Sequence, residues 1–350
     1  MSNCLVTGGA GFIGCALSTG LAERFDRVVA VDKLLPQVHA RQERPAALDL
    51  RVEFQQKDVT SPGSWDEILP GFKPDVVIHL AAETGTGQSL REATRHASEN
   101  VVGTTAMLDA FCRHEILPRQ FILSSSRAVY GEGAWVAPDG RLVYPGGRDS
   151  EQLKRREWDF PGLAHQPFAA AVTEPRPSNV YAATKLAQEH ILDAWGKAFG
   201  IGVTILRLQN VYGPGQSLTN SYTGIVSLFA RLAREGRSVP LYEDGAMLRD
   251  FVFVDDVAGA FHAAIAANLP GTTRFDVGSG QASPLSTAAW MLAKHYDAPE
   301  PHVSAQYRLG DVRHASCDLA PTLEHLPWRP SWPLERGLPA LCEWIETQLP

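Results

Sequence analysis

The most constraining stretch of this chain lies at its start. Asn3-Cys4-Leu5-Val6-Thr7 is a short apolar run of strand type, and it feeds directly into Gly8-Gly9-Ala10-Gly11-Phe12-Ile13-Gly14. A helical apolar pattern follows through Leu17, Leu21 and Phe25. The glycines fit two registers, Gly9-x-Gly11-x-x-Gly14 and Gly8-x-x-Gly11-x-x-Gly14. Either permits a tight turn, lets backbone N–H groups approach a pyrophosphate, and packs the helix on the strand. The helix N-terminus then faces the anion. Val28-Val29-Ala30-Val31-Asp32 comes next, a buried strand ending in an acid 18 residues past Gly14. That is the place for a carboxylate that binds an adenosine ribose 2′-hydroxyl. An acid there repels a 2′-phosphate, so the pattern points to NAD rather than NADP, with the neighbouring Lys33 as the contrary charge.

Strand candidates then recur at regular intervals: residues 52–59, 76–82, 120–126 and 203–207, with helical segments such as 101–114 between them. Continuous apolar strands alternating with helices predict an α/β protein with a doubly wound parallel sheet of Rossmann type. Beyond about residue 212 the pattern shifts to Gly- and Pro-rich loops and shorter elements. The expected division is therefore a dinucleotide-binding domain over 1–212 and a smaller substrate domain over 213–350, with 249–262 returning to the first.

Three of these strands end in small or polar residues, and ligands of such sheets lie at the carboxyl ends of strands. Ser124-Ser125-Ser126 is one such end and Leu80-Ala81-Ala82 another. His79, inside an apolar strand, reads as a packed core residue rather than a ligand. With 44% hydrophobic and 20% charged residues the chain reads as globular and soluble. A formal charge of −7 argues against nucleic acid or an anionic membrane as partner. No apolar run reaches the length of a membrane span, and no signal-peptide pattern opens the chain. Five scattered cysteines form neither a disulfide framework nor a CxxC pair. A cytoplasmic setting and no metal are expected.

The chemistry concentrates in Ser178-Asn179-Val180-Tyr181-Ala182-Ala183-Thr184-Lys185. Pro177 before it, a Ser178 cap and Gly200 at the far end predict a helix, with Val180, Ala187, Ile191, Trp195 and Phe199 as its apolar stripe. Tyr181 and Lys185 are four apart and share a face. Ionising a phenol of pKa about 10 at pH 7 costs roughly 4 kcal/mol. An ammonium about 4 Å away returns up to about 4 kcal/mol at an effective dielectric of about 20. Alone, the pair equally describes a solvated Tyr and Lys on a surface helix. In the second lobe Arg249-Asp250-Phe251-Val252 and Gly310-Asp311-Val312-Arg313-His314 carry arginines suited to clamp a diphosphate.

As an ordered set, these motifs together with Arg127-Ala128-Val129-Tyr130-Gly131 resemble the extended short-chain dehydrogenase/reductase family, from about residue 2 to about residue 320. The resemblance implies a nucleotide-sugar enzyme with tightly held NAD. Tyr181 would be the base, Lys185 would bind the nicotinamide ribose and lower the Tyr pKa, and Ser126 would take the catalytic Ser/Thr position. Gly8, Gly11, Phe12, Ile13, Gly14, Asp32, Lys33, Ser124, Leu80, Ala81 and Ala82 would line the cofactor, with Asp58 and Val59 at adenine and Asn100 as a structural Asn beside it. Thr84, Ser126, Arg127, Asn210, Tyr222, Leu241, Tyr242, Arg249 and Arg313 would hold the substrate, a dTDP- or UDP-sugar. A homodimer through two helices per subunit is also implied.

Related 4,6-dehydratases carry an Asp-Glu pair after the catalytic Thr, where this chain has Arg127-Ala128. A redox-neutral 4-epimerase needs no such acids. Ser126 and Tyr181 are 55 residues apart (181 − 126), and the long insertion 131–177 is similar to that of 4-epimerases acting on dTDP-L-rhamnose. UDP-glucose/UDP-galactose epimerisation, an NAD(P)H-dependent keto-sugar reductase and a non-catalytic dinucleotide-binding regulator are the competing expectations. The insertion is expected as a lid over the sugar, with a surface excursion or a dimer contact nearly as good a reading.

Overall fold

The computed structural model describes residues 2–218 and 224–348. Its main body is a seven-stranded sheet made of Asn3–Thr7 (β1), Arg27–Asp32 (β2), Glu53–Gln56 (β3), Val76–His79 (β4), Gln120–Ser126 (β5), Gly202–Leu208 (β6) and Thr272–Val277 (β7). The order is β7-β6-β5-β4-β1-β2-β3, and every neighbouring pair runs parallel. Alternation along the strands sends side chains to two cores. Cys4 and Val6 pack with Leu17 and Leu21 of the helix Phe12–Arg24 (α1) and with Ala258 and Phe261 of a later helix. Leu5 packs on the opposite face with Met107 and Phe111 of Gly103–Arg113 (α2) and Leu192 of Val180–Phe199 (α3). The strand order reverses between β1 and β4, which opens a crevice at the carboxyl ends of the strands.

The predicted doubly wound sheet is therefore present, with shorter strands than expected at 53–56 and 76–79. The segment returning from the second lobe begins at 254 rather than 249 and runs on to 277 rather than 262. Val254–Ala267 (α4) packs on α1, and β7 pairs with β6 as the edge strand. Its sequence, Thr272-Thr273-Arg274-Phe275-Asp276-Val277, mixes polar and apolar residues and lacks the continuous apolar run of the central strands.

Helix α3 differs from expectation in two ways. Its cap is Asn179, whose side chain accepts from the Ala182 N–H at 2.9 Å, rather than Ser178. Gly200 ends it in the left-handed conformation, as predicted. Its buried face is also not the apolar stripe: Thr184, Lys185, Gln188, Glu189, Leu192 and Gly196 are buried, while Ile191 and Trp195 are half-buried and Phe199 is exposed. The polar face is buried because each of its residues finds at least one partner. Thr184 pairs with Asn100, Gln188 with Thr104 and His79, and Glu189 with Arg207 and Ser125. His79 is the packed residue anticipated, bonded to Thr7 and Thr104 and pushed down to about pKa 3 by burial.

The smaller lobe holds Asn210–Tyr212, Leu248–Phe253 and Ala282–Pro284 in a second sheet, joined by His314–Ala315. Helices Ile225–Arg234, Leu285–His295 and Leu334–Gln348 pack on it through Phe229, Leu292 and Leu341. Residues 131–177 form a three-stranded antiparallel patch from Trp135–Val136, Leu142–Val143 and Ala164–His165, plus a short helix, Ser150–Lys154.

Candidate functional site

A cavity of about 580 Å³ lies where the carboxyl ends of β1, β4, β5 and β6 face the second lobe. The glycine turn forms one end. Gly8 takes a positive φ of 66°, and a Cβ there would stand 2.7 Å from the Ala81 nitrogen. At Gly14 a Cβ would stand 2.5 Å from the Gly9 oxygen. Gly8, Gly11 and Gly14 line the cavity with Phe12 and Ile13. Gly9 instead lies against Ala30, so the Gly8-x-x-Gly11-x-x-Gly14 register is the one that faces the cleft. Gly11 stands at the N-terminus of α1, where free N–H groups and the helix dipole suit a phosphate.

A side pocket continues from the glycine turn past Asp32, Lys33, Val59, Leu80, Ala81 and Ala82. Asp32 accepts from the Leu34 N–H at 2.9 Å and the Ala10 N–H at 3.3 Å, which holds its carboxylate at the strand end. Lys33 is paired with Glu99 and lies 3.7 Å from Asp58. Its charge is thus compensated, which removes the contrary sign beside Asp32. Asp58 does not line the pocket; it caps its own turn by accepting from the Thr60 N–H and hydroxyl. Asn100 is likewise structural. It accepts from the Glu83 N–H and donates to the Glu83 carbonyl and Thr184, tying the loop after β4 to α3. A π-helical turn, Ser98–Val102, turns it inward.

Ser124, Ser126, Tyr181 and Lys185 meet at the centre of the cavity. Ser126 ends β5, accepts from the Ala128 N–H at 3.2 Å and hydrogen-bonds the Tyr181 hydroxyl. Lys185 donates to the Ser124 carbonyl at 2.9 Å. The electrostatics differ from the expected ones. Burial raises the Tyr181 pKa, and the influences that lower it are the Ser126 hydrogen bond and the Arg127 charge. Burial pushes Lys185 down to about 7, against the pull of Glu189. A lysine whose charged form is disfavoured by burial is a weaker lever on the phenol than the sequence arithmetic assumed.

The other wall holds Thr84, Arg127, Asn210, Tyr242 and Arg249. Arg127 donates from Nε to the Asn210 side-chain oxygen at 2.8 Å. Arg249 spends its donors on the carbonyls of Leu248, Val312 and Arg313. Two expected substrate residues lie elsewhere. Leu241 is buried in the second-lobe core, because the two-residue strand Pro240–Leu241 turns it away from the cavity that Pro240 and Tyr242 line. Arg313 does not line the cavity; its guanidinium is held by Asp159, Glu243 and Asp244 at 2.7–3.3 Å. Tyr222 falls outside the described residues. Sequence reasoning missed Arg308, which lines the cavity with its guanidinium 5.1 Å from the Tyr242 ring centre. Its signal was its place two residues before the flagged Gly310-Asp311 pair.

Among the described residues, none of 131–177 lines this cavity. The insertion is fastened to the cavity wall from behind. Arg148, buried, donates to Glu243 at 2.8 Å and to the Asp311 carbonyl at 3.0 Å, and stands 3.3 Å from Glu132. Arg148→Met is expected to loosen residues 308–312, raising KM for a nucleotide sugar several-fold with kcat little changed and costing about 1.5–3 kcal/mol of stability. Unchanged KM and melting temperature would refute this anchoring. A second depression of about 610 Å³, around Gln166, Ser279 and Arg329, contains none of the expected site residues.

The family model for the NAD dependent epimerase/dehydratase family matches residues 4–148 and 159–278. The chain belongs to this family. A dTDP-L-rhamnose 4-epimerase of Burkholderia thailandensis is 57% identical over 99% of this chain and 95% of that protein. Among solved structures, a Thermotoga maritima UDP-glucose 4-epimerase with UDP-glucose superposes at a TM-score of 0.81 and 28% identity, covering 99% of this chain and 100% of that one. A Thermus thermophilus UDP-glucose 4-epimerase in complex with NAD gives 0.78 and 26%, again over 99% and 100%. NAD is the cofactor of this family member. The residues present fit it: a glycine turn too close for any Cβ, a helix N-terminus beyond it, and an acid with a compensated lysine at the end of β2. No described helix is long and apolar enough to cross a membrane.

Proposed function

We propose that this chain is a nucleotide-sugar 4-epimerase that interconverts dTDP-L-rhamnose and dTDP-6-deoxy-L-talose. The observation that carries this reading is the 57% identity, over nearly the whole of both chains, to a protein described by that activity. The site supports it. When bound, NAD supplies a reversible acceptor for the hydride of the sugar C4. Tyr181 takes the proton of the C4 hydroxyl and returns it, with Ser126 holding both oxygens in line. Lys185, anchored on Ser124, is placed to hydrogen-bond the cofactor ribose. Asn210, Arg249 and Arg308 line the wall that takes the diphosphate, and Tyr242 with its stacked Arg308 offers a face to the base. Arg127 and Ala128 stand where an acid pair would be needed for water elimination; the 4-keto sugar would instead turn over in the cavity and take the hydride back on its other face, which inverts C4.

The test is incubation of the purified protein with dTDP-L-rhamnose and, separately, UDP-glucose, with products read by NMR. The expected result is dTDP-6-deoxy-L-talose without added NADH and without net absorbance change from the nicotinamide. Conversion of UDP-glucose alone would reassign the substrate, and a requirement for stoichiometric NADH would make the enzyme a reductase. We further place it in the cytoplasm as a homodimer. Supporting the dimer are Val102 and Phe199, exposed beside α2 and at the end of α3. A monomeric mass by sedimentation would remove it.

A further inference from the structure

Two loops meet across the glycine turn. In the strand order β4-β1-β2, the segments that follow β2 and β4 leave the sheet on either side of the turn that follows β1. These two segments belong to strands that are not neighbours, but their side chains are joined. Gln37 Nε2 donates to Gln88 Oε1 at 3.0 Å, and Gln88 Nε2 donates to Gln37 Oε1 at 3.1 Å. Arg95 adds a bond from Nη2 to the same Gln37 oxygen at 3.0 Å, and its Nε donates to Glu83 at 2.8 Å. Glu83 is held in turn through its N–H, which donates to the Asn100 side chain at 2.7 Å. Gln88 is buried, so water competes little for this amide pair.

The segment after β2 lies against the place where the main cavity and the side pocket join. It makes a tight turn in which the Val38 and His39 N–H groups both donate to the Leu35 carbonyl at 2.9 Å. Gly8, Gly11, Val38, Leu80 and Ala82 line both cavities, so the passage between them is bounded by the glycine turn and by Val38. His39 Nε2 stands 3.9 Å from an Asp32 carboxylate oxygen, which places the end of the segment beside the ribose acid. Val38 keeps 36% of its surface exposed, an apolar side chain over a polar turn. We propose that residues 35–39 are a strap across bound NAD, and that Gln37, Gln88 and Arg95 are the positioning residues that latch it. The chain from Asp32 to Gln37, the amide pair, and the chain from Gln88 back to Leu80 together span the turn at Gly8. A pyrophosphate at that turn has one nucleoside on each side of the passage, so the cofactor leaves only when the latch opens. A redox-neutral reaction regenerates its NAD in every turnover, so slow release costs the cycle nothing. The inference rests on NAD as the cofactor and not on which sugar is turned over.

The experiment follows the exchange of bound NAD for isotopically labelled NAD in the holoenzyme, with no nucleotide sugar present. It compares the parent with Gln37→Ala, Gln88→Ala and Gln37→Glu. Losing the amide pair is expected to speed NAD release about tenfold and to raise its Kd by a similar factor, because such changes fall mostly on the off-rate. Gln37→Glu keeps the oxygen that accepts from Gln88 and Arg95, and its release rate is expected to return to within about threefold of the parent. With dTDP-L-rhamnose present, the NAD concentration that gives half-maximal activity should rise in the alanine variants, while kcat with NAD in excess changes far less. Gln37 is only half-buried, so its two variants decide the matter even if Gln88→Ala fails to fold. Alanine variants that melt lower but exchange NAD at the parent's rate would overturn the proposal and leave the pair as loop packing. If the parent turned over no nucleotide sugar, the reading of function would fail, and the exchange rates would still decide the strap.

Discussion

Replacing Tyr181 with Phe is expected to lower turnover on dTDP-L-rhamnose by about 10²–10⁴-fold while leaving NAD bound. The change removes one oxygen. That oxygen meets Ser126 at the centre of the cleft and takes no part in the packing of α3, whose buried face is carried by Thr184, Lys185, Gln188 and Glu189. The fold should therefore keep its melting temperature. Product formation by NMR and NAD released on denaturation are the two measurements. Retention of activity within tenfold would remove Tyr181 from proton transfer. Loss of bound NAD together with activity would mean that the hydroxyl serves cofactor retention instead.

The largest loss of stability is expected at Glu189. It is fully buried, and its carboxylate accepts from Arg207 at 2.9 and 2.7 Å and from Ser125 at 2.5 Å, with Arg274 at 3.7 Å. Arg207 in turn lies 4.7 Å over the ring of Tyr130, whose hydroxyl donates to Asp276 at 2.8 Å. One carboxylate thus joins α3, β5, β6 and β7. Glu189→Leu leaves Arg207 buried without its anion, at about 3–5 kcal/mol. The melting temperature should fall by roughly 5–10 °C. The double change Glu189→Leu with Arg207→Met should recover much of this, since a buried pair replaced by apolar groups is often neutral. A single variant as stable as the parent would contradict this account. Activity should also fall, because Glu189 raises the Lys185 pKa and its removal leaves the amine more fully neutral at pH 7.

How far the site was legible follows the range of the interactions. The glycine turn was legible because backbone sterics act within a few residues, and the structure chose between its two registers only by placing Ala30 against Gly9 and Ala81 against Gly8. Ser126, Tyr181 and Lys185 were legible as types with a known geometric relation. The charge on Tyr181 was not. Burial decides it first, and burial is not written in a spacing of four. The apolar stripe of α3 was misread for a similar reason: Gln188 and Glu189 look like surface residues until His79, Thr104 and Arg207 arrive from distant strands and helices to satisfy them. Arg313 looked free to clamp a phosphate, and a lone arginine in a sequence carries no sign of the carboxylates it will meet. Asp159 lies 154 residues away and Asp244 lies 69 away.

The sequence by itself determined the doubly wound sheet, the dinucleotide turn, and the Ser–Tyr–Lys trio at the ends of its elements. Each depends on local conformational preference or on an apolar period that the chain carries with it. Tertiary structure alone decided which arginines face the cleft, how the insertion braces residues 308–312 from outside, and that the phenol and the lysine are both buried. Those outcomes depend on burial and on charge pairing between segments far apart in the chain, and both strengthen only when water is removed between them.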